Sequence, residues 1–98
     1  MISIKIYRQG KNILVSACDK NLLGKKFREG KFQLDASEKF YGGAIVDEKI
    51  LQEYLGEATI ANLIGKEAVK CAIKLGIIDK TCVLTVKGVP HAQMMRMC

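Results

Sequence analysis

The sequence predicts an α+β fold in which two helices pack on one face of a mainly antiparallel sheet of about four to five strands. Three observations lead to this prediction. Residues 2–8 alternate between apolar and polar side chains, as a half-buried strand does. Residues 47–75 carry apolar side chains at helical spacing. Most of the predicted strands precede the helices and do not alternate with them, which favours α+β over α/β.

The length and composition of the chain indicate one domain. Its 98 residues are enough for one hydrophobic core without disulfides, and a hydrophobic content of 49% argues against intrinsic disorder. The apolar runs are only a few residues long, so neither a membrane span nor a signal peptide is predicted. We therefore expect a cytoplasmic protein without a membrane partner. The predicted domain, residues 1–98, divides into N-terminal strands over 1–35, a two-helix segment over 47–76, a last strand over 81–87 and a C-terminal tail over 88–98.

The N-terminal segment predicts two β-hairpins. Residues 2–8 and 12–18 form the first hairpin, and residues 25–28 and 31–34 form the second around the turn at Glu29–Gly30. Apolar side chains of the second hairpin are expected to face the core. They are Phe27, Phe32 and Leu34.

The central segment predicts two helices, over about 47–63 and 66–75, with a break near residues 62–65 where the apolar pattern loses its phase. Asp47 is the expected N-cap of the first helix, because its carboxylate can accept a free backbone N–H. The second helix presents three lysines, four residues apart, on its exposed face. They are Lys66, Lys70 and Lys74.

The C-terminal segment predicts one strand and a tail. Residues 81–87, TCVLTVK, form the last strand. The stretch that follows, 88–93, contains the only proline and is expected to leave the sheet. The Met-rich end, 94–98, is expected either to pack as a short helical tail or to fray.

The net charge of +6 is unevenly distributed along the chain. Residues 1–31 contain eight Lys and Arg against two Asp and Glu, and residues 65–98 contain six against two. Residues 32–64 contain two against six. Two basic ends around an acidic middle favour a polyanion or an acidic protein surface as partner over a neutral metabolite. The alternative is an ordinary solvated surface.

Two groups of residues are candidates for binding a polyanion such as RNA. A basic sheet face is expected to combine cations with one outward aromatic, which suits contact with an RNA backbone more than base readout. The start of the second helix is expected to offer free backbone N–H groups to an anion. The residues of the sheet face are Lys5, Tyr7, Lys26, Arg28 and Lys31. The residues of the helix are Gly65, Lys66, Lys70 and Lys74.

A catalytic centre is the rival interpretation, and it uses Cys18, Asp19 and His91. A thiol, a carboxylate and an imidazole are the parts of nucleophilic catalysis, provided that the fold brings them together. Each has an ordinary alternative. Asp19 is expected to cap a single turn that follows it, Cys18 fits a strand end in the core, and His91 can hydrogen-bond a loop carbonyl.

No metal or cofactor is predicted. The four cysteines, which are Cys18, Cys71, Cys82 and Cys98, show no Cys-x-x-Cys pair and no nearby histidine. No Gly-rich nucleotide-binding motif is present. We expect buried thiols and one thiol in the tail, and a disulfide only if the source is a hyperthermophile.

Five short blocks spread over nearly the whole chain resemble an archaeal family catalogued as a domain of unknown function, number 424. The resemblance implies an archaeal, cytoplasmic, single-domain protein, and it brings no activity or catalytic residue with it. The blocks are Cys18-Asp19 with Leu22–Lys25, Phe40–Gly43, Ala61–Gly65, Gly76–Asp79 and Gly88–Gln93.

Three functional hypotheses follow. The first is a non-enzymatic protein that contacts RNA or a ribonucleoprotein, with an association with the translation machinery as its setting. The second is a small enzyme that uses Cys18 and His91. The third is a protein–protein adaptor that docks a partner through residues 94–98 or through the acidic first helix. The sequence does not determine the oligomeric state.

Overall fold

The chain begins with a long antiparallel hairpin of β1 (Ile2–Gln9) and β2 (Asn12–Asp19). The structure, a computed structural model, describes residues 1–96. The turn of the hairpin contains Gly10 at a φ of +58°, a conformation that glycine adopts without steric cost. This hairpin confirms the two predicted strands, which lie side by side in the main sheet.

A second, shorter hairpin follows a single 3₁₀ turn. Its strands are β3 (Lys26–Glu29) and β4 (Phe32–Asp35), and they form a two-stranded sheet of their own. The hairpin was predicted, and its Leu34 is buried. Phe32 lies on the same face of the hairpin as Leu34, but the expectation that it packs in the core was wrong, because it lies near the tip, beyond the core, and is 56% exposed.

The connector between the second hairpin and the helical segment is itself ordered. It contains the short helix α1 (Glu38–Tyr41) and the strand β5 (Ala44–Val46), which pairs antiparallel with β1. Gly43 lies against the backbone of Ile4, so a side chain at position 43 would collide with it. The connector thereby adds an edge strand that the sequence did not predict.

The predicted helix over 47–63 is shorter than expected. Helix α2 (Glu48–Glu57) begins at the predicted cap, where the Asp47 carboxylate accepts the N–H of Ile50 at 2.9 Å. It ends before Thr59, whose N–H donates to the carbonyl oxygen of Ile13 at 2.8 Å and starts a strand beside β2.

Residues 60–64 are therefore a strand, not the end of a helix. Strand β6 (Ile60–Ile64) runs parallel to β2, and helix α3 (Lys66–Lys74) follows it after Gly65. The break in helical phase near residues 62–65 marks this strand. Its side chains are half-buried or buried on both faces, so its apolar residues do not alternate with charged ones.

The C-terminal part of the chain also stays in the sheet. After a 3₁₀ turn at Lys80–Cys82, β7 (Leu84–Val86) and β8 (Val89–Met95) form an antiparallel pair, and β8 also pairs with β6. The expectation that residues 88–93 leave the sheet was wrong. Residues 97 and 98 of the predicted tail lie outside the described residues.

The main sheet has six strands in the order β5-β1-β2-β6-β8-β7. All neighbouring pairs are antiparallel except β2 and β6, which makes the sheet mixed. The predicted α+β class is confirmed. The sheet is larger than the four to five strands expected, because β5, β6 and β8 were not predicted as strands, while the predicted β3 and β4 form a separate sheet.

Two hydrophobic clusters pack against the two faces of the main sheet. On one face, α2 and α3 cover a cluster that includes Leu51, Leu55 and Leu63. On the opposite face, α1 and the β3–β4 hairpin cover a smaller cluster that includes Cys18 and Ile64.

None of the helices in the described chain combines the length and the apolar composition that a membrane span requires.

Candidate functional site

Cys18 and His91 lie in one row across the main sheet, but they do not meet. Cys18 of β2 pairs with Ile64 of β6, and Ile64 pairs with His91 of β8. Cys18 and His91 are therefore two strand spacings apart, a distance of about 10 Å. The side chain of Ile64 lies between them on the same face, so the imidazole is not placed to take a proton from the thiol.

The environment of the Cys18 thiol keeps it protonated. Its side chain is buried, and its Sγ donates to the carbonyl oxygen of Asp19 at 3.3 Å. Burial, with a smaller effect from the charge of Asp19, raises the pKa of Cys18 to about 12. Burial lowers the pKa of His91. A nucleophilic cysteine needs a lowered thiol pKa, so Cys18 is not prepared for that chemistry.

Asp19, the third candidate of the catalytic interpretation, caps helix α3. Its carboxylate accepts the N–H of Glu67 at 3.0 Å and the N–H of Ala68 at 2.9 Å. It makes no side-chain hydrogen bond to the 3₁₀ turn that follows it, so the expectation of a local cap was wrong. Adjacent residues of a strand face opposite sides of the sheet, so Asp19 is directed away from Cys18. The three candidates do not converge.

The same cap changes the interpretation of the start of α3 as an anion site. The expected free N–H groups at Glu67 and Ala68 are already hydrogen-bonded to Asp19. The N–H of Gly65 donates to the carbonyl oxygen of Pro90 at 2.9 Å. These three groups are therefore not available to a phosphate. Burial raises the pKa of Asp19, against the opposing effect of the two hydrogen bonds it accepts.

Lys5 and Tyr7 of the predicted basic sheet face are engaged with α1. Lys5 Nζ donates to the carbonyl oxygen of Lys39 at 2.9 Å, and the Tyr7 hydroxyl donates to that of Phe40 at 2.9 Å. The Ser16 hydroxyl also donates to the carbonyl oxygen of Phe40, at 2.7 Å. The rings of Tyr7 and Phe40 stack with their centroids 5.4 Å apart. These side chains cap the last carbonyl groups of α1, which gives them a structural role.

The remaining cations of the predicted sheet face lie on the separate β3–β4 hairpin. Lys26 and Arg28 are exposed on its outward face, Arg28 donates to Gln33 Oε1 at 3.4 Å, and Lys31 is exposed in the turn. The exposed Phe32 follows Lys31 directly. The structure thus divides the predicted basic face between two sheets, and it places an exposed aromatic on the hairpin and not at Tyr7.

The lysines of α3 border a groove between that helix and the β7–β8 pair. Its volume is about 580 Å³, and we call it the lysine groove. The groove has an apolar floor, a rim of four lysines and no acidic residue among those that line it. Floor residues are Val69, Ile73, Val83 and Pro90. Rim residues are Lys66, Lys70, Lys74 and Lys80. Lys74 also pairs with Glu48 at 3.5 Å on the exposed surface.

No set of three His, Cys, Asp or Glu side chains within residues 1–96 is placed to hold a metal ion. The thiols of Cys18, Cys71 and Cys82 are free. Cys18 and Cys71 are buried, and Cys82 is exposed. The remaining cysteine, at position 98, lies outside the described residues.

Several residues of these surfaces were not identified from the sequence. The helical pattern places Val69 and Ile73 in an apolar arc, and their position between lysines was the available signal. Val83 and Pro90 complete the groove floor from another part of the chain. Val83 and Pro90 come close to α3 only because β8 enters the sheet. The sequence did not predict this strand, so no local pattern could have placed the two residues there.

Comparison with known proteins supports the fold and identifies the family. A solved structure, the crystal structure of an uncharacterized conserved protein from Methanopyrus kandleri, matches 99% of this chain and 95% of its own, with a TM-score of 0.76 and 24% identity. Comparison with curated proteins gives no match. Residues 7–97 match the family model described as protein of unknown function, DUF424. The chain therefore belongs to the DUF424 family, as its five sequence blocks predicted.

Proposed function

We propose that this protein is a non-enzymatic binding protein that contacts RNA or a ribonucleoprotein through the β3–β4 hairpin. The observation that carries the proposal is the position of Phe32, which is 56% exposed beside Lys31 at the hairpin tip. Lys26 and Arg28 carry positive charge on the outward face of the same hairpin, whereas the Phe32 side chain projects from the opposite face, across from Glu29. An RNA strand that passes over the hairpin tip can place a base on Phe32 and its phosphates beside Lys31 and Arg28, which is the aromatic and cationic combination that single-stranded RNA binders use.

The chemistry of the hairpin suits a short stretch of unpaired RNA. The cations attract phosphates, and the ring of Phe32 offers a surface on which one base can stack without sequence preference. Because only one aromatic side chain is exposed there, the hairpin suits contact with a backbone and one base, rather than the reading of a sequence. Ribosomal RNA, which presents many such segments, is the partner class to test first.

The non-enzymatic part of the proposal rests on the Cys18–Ile64–His91 row. The imidazole and the thiol are separated by a third side chain, and the raised pKa of Cys18 keeps the sulfur protonated at neutral pH. Asp19 is committed to capping α3. A Cys-based enzyme would need all three groups in other positions, so the binding hypothesis is preferred.

The first experiment is affinity purification of the tagged protein from its native cell at low and at high salt, with and without ribonuclease. Co-purified RNA and protein are identified together. The proposal predicts RNA that is lost with salt and with ribonuclease, because an interaction with phosphates weakens as counterions compete. One protein that co-purifies after ribonuclease treatment would favour the adaptor hypothesis instead.

A binding assay with single-stranded RNA then tests the hairpin. Phe32→Ala is expected to weaken binding about tenfold, within the range of roughly 1–3 kcal/mol for a stacked base. Arg28→Glu with Lys31→Glu should weaken binding further and reduce the salt dependence, by about 0.7 in the logarithmic slope for each phosphate that the variant no longer neutralises.

The matched control for the charge change is Lys11→Glu with Lys49→Glu. Both positions are exposed, one in the β1–β2 turn and one on α2, away from the hairpin. The control should bind RNA nearly as the unchanged protein does. Equal losses in the control and in the hairpin variant would mean that only net charge matters and would remove the hairpin from the proposal.

A further inference from the structure

The exposed side of helix α2 carries an acidic and partly apolar surface, which we call the acidic helix face. Its residues recur at i, i+3, i+4 and i+7, so they lie on one side of the helix. They line a shallow depression of about 360 Å³ that contains no basic residue. One of them, Ile50, is 40% exposed although it is a large apolar side chain. The residues are Ile50, Glu53, Tyr54 and Glu57.

The acidic helix face and the lysine groove are complementary in charge and in polarity. The groove offers four lysines around an aliphatic floor, and the helix face offers two glutamates beside Ile50 and Tyr54. Within residues 1–96 the structure records no ion pair for Lys66, Lys70 or Lys80. Both surfaces therefore leave apolar area and charge that a single copy of the chain does not satisfy.

The spacing of the charges also agrees. Lys66, Lys70 and Lys74 follow each other every four residues, which is a rise of about 6 Å along a helix. Glu53 and Glu57 have the same spacing. A helix laid along α3 can therefore pair two glutamates with two lysines while its apolar residues enter the groove, as in other helix-in-groove complexes.

Two other ligands fit the lysine groove less well. RNA would find phosphate partners in the lysines, but no aromatic side chain lines the groove for its bases. A fatty acid would fill the apolar floor, but its single carboxylate would engage only one end of a lysine row. The groove favours a ligand that carries repeated acidic groups and apolar side chains together.

We propose that the lysine groove binds the acidic helix face of a second copy of this chain. Both surfaces lie on the side of the main sheet that α2 and α3 cover. A two-fold axis between two facing helix layers places α2 of each copy along the groove of the other. The two interfaces are then identical, so the assembly closes as a dimer and does not grow into a fibre.

The dimer needs to bury only a small part of the surface of each chain. A standard interface buries about 800 Å² on each partner, which is roughly an eighth of the 6140 Å² surface of this chain. Each copy contributes both the groove and the exposed side of α2, so the dimer contains two equal groove–helix contacts. Because lysines and glutamates are part of each contact, the dimer should dissociate as salt is raised.

Sedimentation velocity over a range of protein and salt concentrations tests the dimer. At high protein concentration and about 0.05 M NaCl the mass should be about twice the 10.8 kDa of one chain. It should return to that of one chain at about 0.5 M NaCl, where the screening length falls severalfold. A protein that stays monomeric under the first condition overturns the proposal.

Two charge-reversed variants test which surfaces meet. Lys66→Glu with Lys70→Glu reverses the groove, and Glu53→Lys with Glu57→Lys reverses the helix face. Each variant alone should be monomeric, because like charges would face each other in both halves of the interface. An equimolar mixture of the two should form a heterodimer, because one half is then Glu to Lys and the other Lys to Glu.

The mixture distinguishes this interface from general charge effects. Lys11→Glu with Lys39→Glu makes the same change in net charge as the groove variant, away from both surfaces, and it should dimerise like the unchanged protein. A dimer that either reversed variant retains, or a mixture that stays monomeric, places the interface elsewhere and overturns the proposal. These measurements use the protein without RNA, so the dimer can fail or hold whether or not the proposed function does.

Discussion

Gly65 lies against the Asp19 carboxylate at the junction of β6 and α3, and no side chain fits between them. A methyl group at position 65 would overlap the carboxyl group of Asp19, and Gly65 has a φ of +108°, where residues with a side chain are strained. The close approach lets one carboxylate reach two N–H groups of the first turn of α3. The pair therefore determines where α3 begins and how it sits on the sheet.

Gly65→Ala should lower the free energy of unfolding by about 3 kcal/mol or more, since backbone strain and overpacking act together. Chemical denaturation measures the loss. Gly56→Ala is the control, because Gly56 lies in helix α2 with open space around its Cα. That change should stabilise the protein by about 0.5–1 kcal/mol. Equal, small effects at both glycines would contradict the close approach.

Asp19→Asn tests the cap itself. The amide oxygen can accept only one of the two N–H groups, and the amide nitrogen would face the other as a second donor. Leaving one buried N–H unpaired costs about 1–3 kcal/mol, which urea denaturation at neutral pH should show. An unchanged free energy of unfolding would mean that water replaces the missing hydrogen bond.

The pH dependence of the same pair of proteins has a definite sign. Burial raises the pKa of Asp19 in the folded state, so the folded protein holds this proton more tightly than the unfolded chain does. The resulting stabilisation is complete below the unfolded pKa of about 3.9 and is lost as pH rises through the raised value. The stability difference between the unchanged protein and Asp19→Asn should therefore shrink as pH rises from about 3 to 7. A difference that grows over this range would contradict the raised pKa.

The elements with a clear period were predictable from the sequence. The alternation of β1 was predicted correctly, since Ile2 and Ile4 face the core, and α2 begins at the Asp47 cap, as expected. The expectation that β1 is only half-buried was wrong, because α1 covers its other face, where Ser3 is buried and Lys5 and Tyr7 are half-buried. The prediction that the residues of β6 end a helix was wrong, because a five-residue strand buried on both faces has no alternation of polarity to distinguish it from a helix. The loss of helical phase before Gly65 was the signal that a new element begins there.

The candidate site was less predictable, because its hydrogen bonds join distant parts of the chain. Asp19 and Ala68 are 49 residues apart, and only the parallel pairing of β2 with β6 brings the cap to α3. The local sequence assigns Asp19 to the turn that follows it. Pro90 likewise argued against a strand, but it lies one residue beyond the β6–β8 pairing, which ends at His91, so a residue without an N–H removes no hydrogen bond between those strands.

The cysteines should differ in reactivity with iodoacetamide at pH 8. Among the three cysteines that the structure describes, Cys82 is exposed and should react first. Burial, with a smaller effect from the charge of a neighbouring carboxylate, raises the pKa of Cys18 to about 12 and that of Cys71 to about 11, so both thiols stay protonated. They should react at least about 100-fold more slowly, because the thiolate is the reactive form. Peptide mass mapping assigns each modification. Rapid alkylation of native Cys18 that His91→Ala abolishes would restore the enzyme hypothesis.

His91 should make the protein less stable in mild acid. Burial disfavours the charged imidazolium and lowers the pKa of His91 in the folded state, and its cross-strand neighbours Ile64 and Leu84 offer no counter-charge. The stabilisation from the neutral ring is complete above the unfolded pKa of about 6.5 and is lost as pH falls through the lowered value. His91→Gln removes the titration but keeps a polar side chain. The stability of the unchanged protein relative to this variant should decrease between about pH 8 and pH 5, measured by urea denaturation at each pH. An increase would mean that an acidic partner stabilises the imidazolium, and would show that His91 has a partner that the described structure does not place beside it.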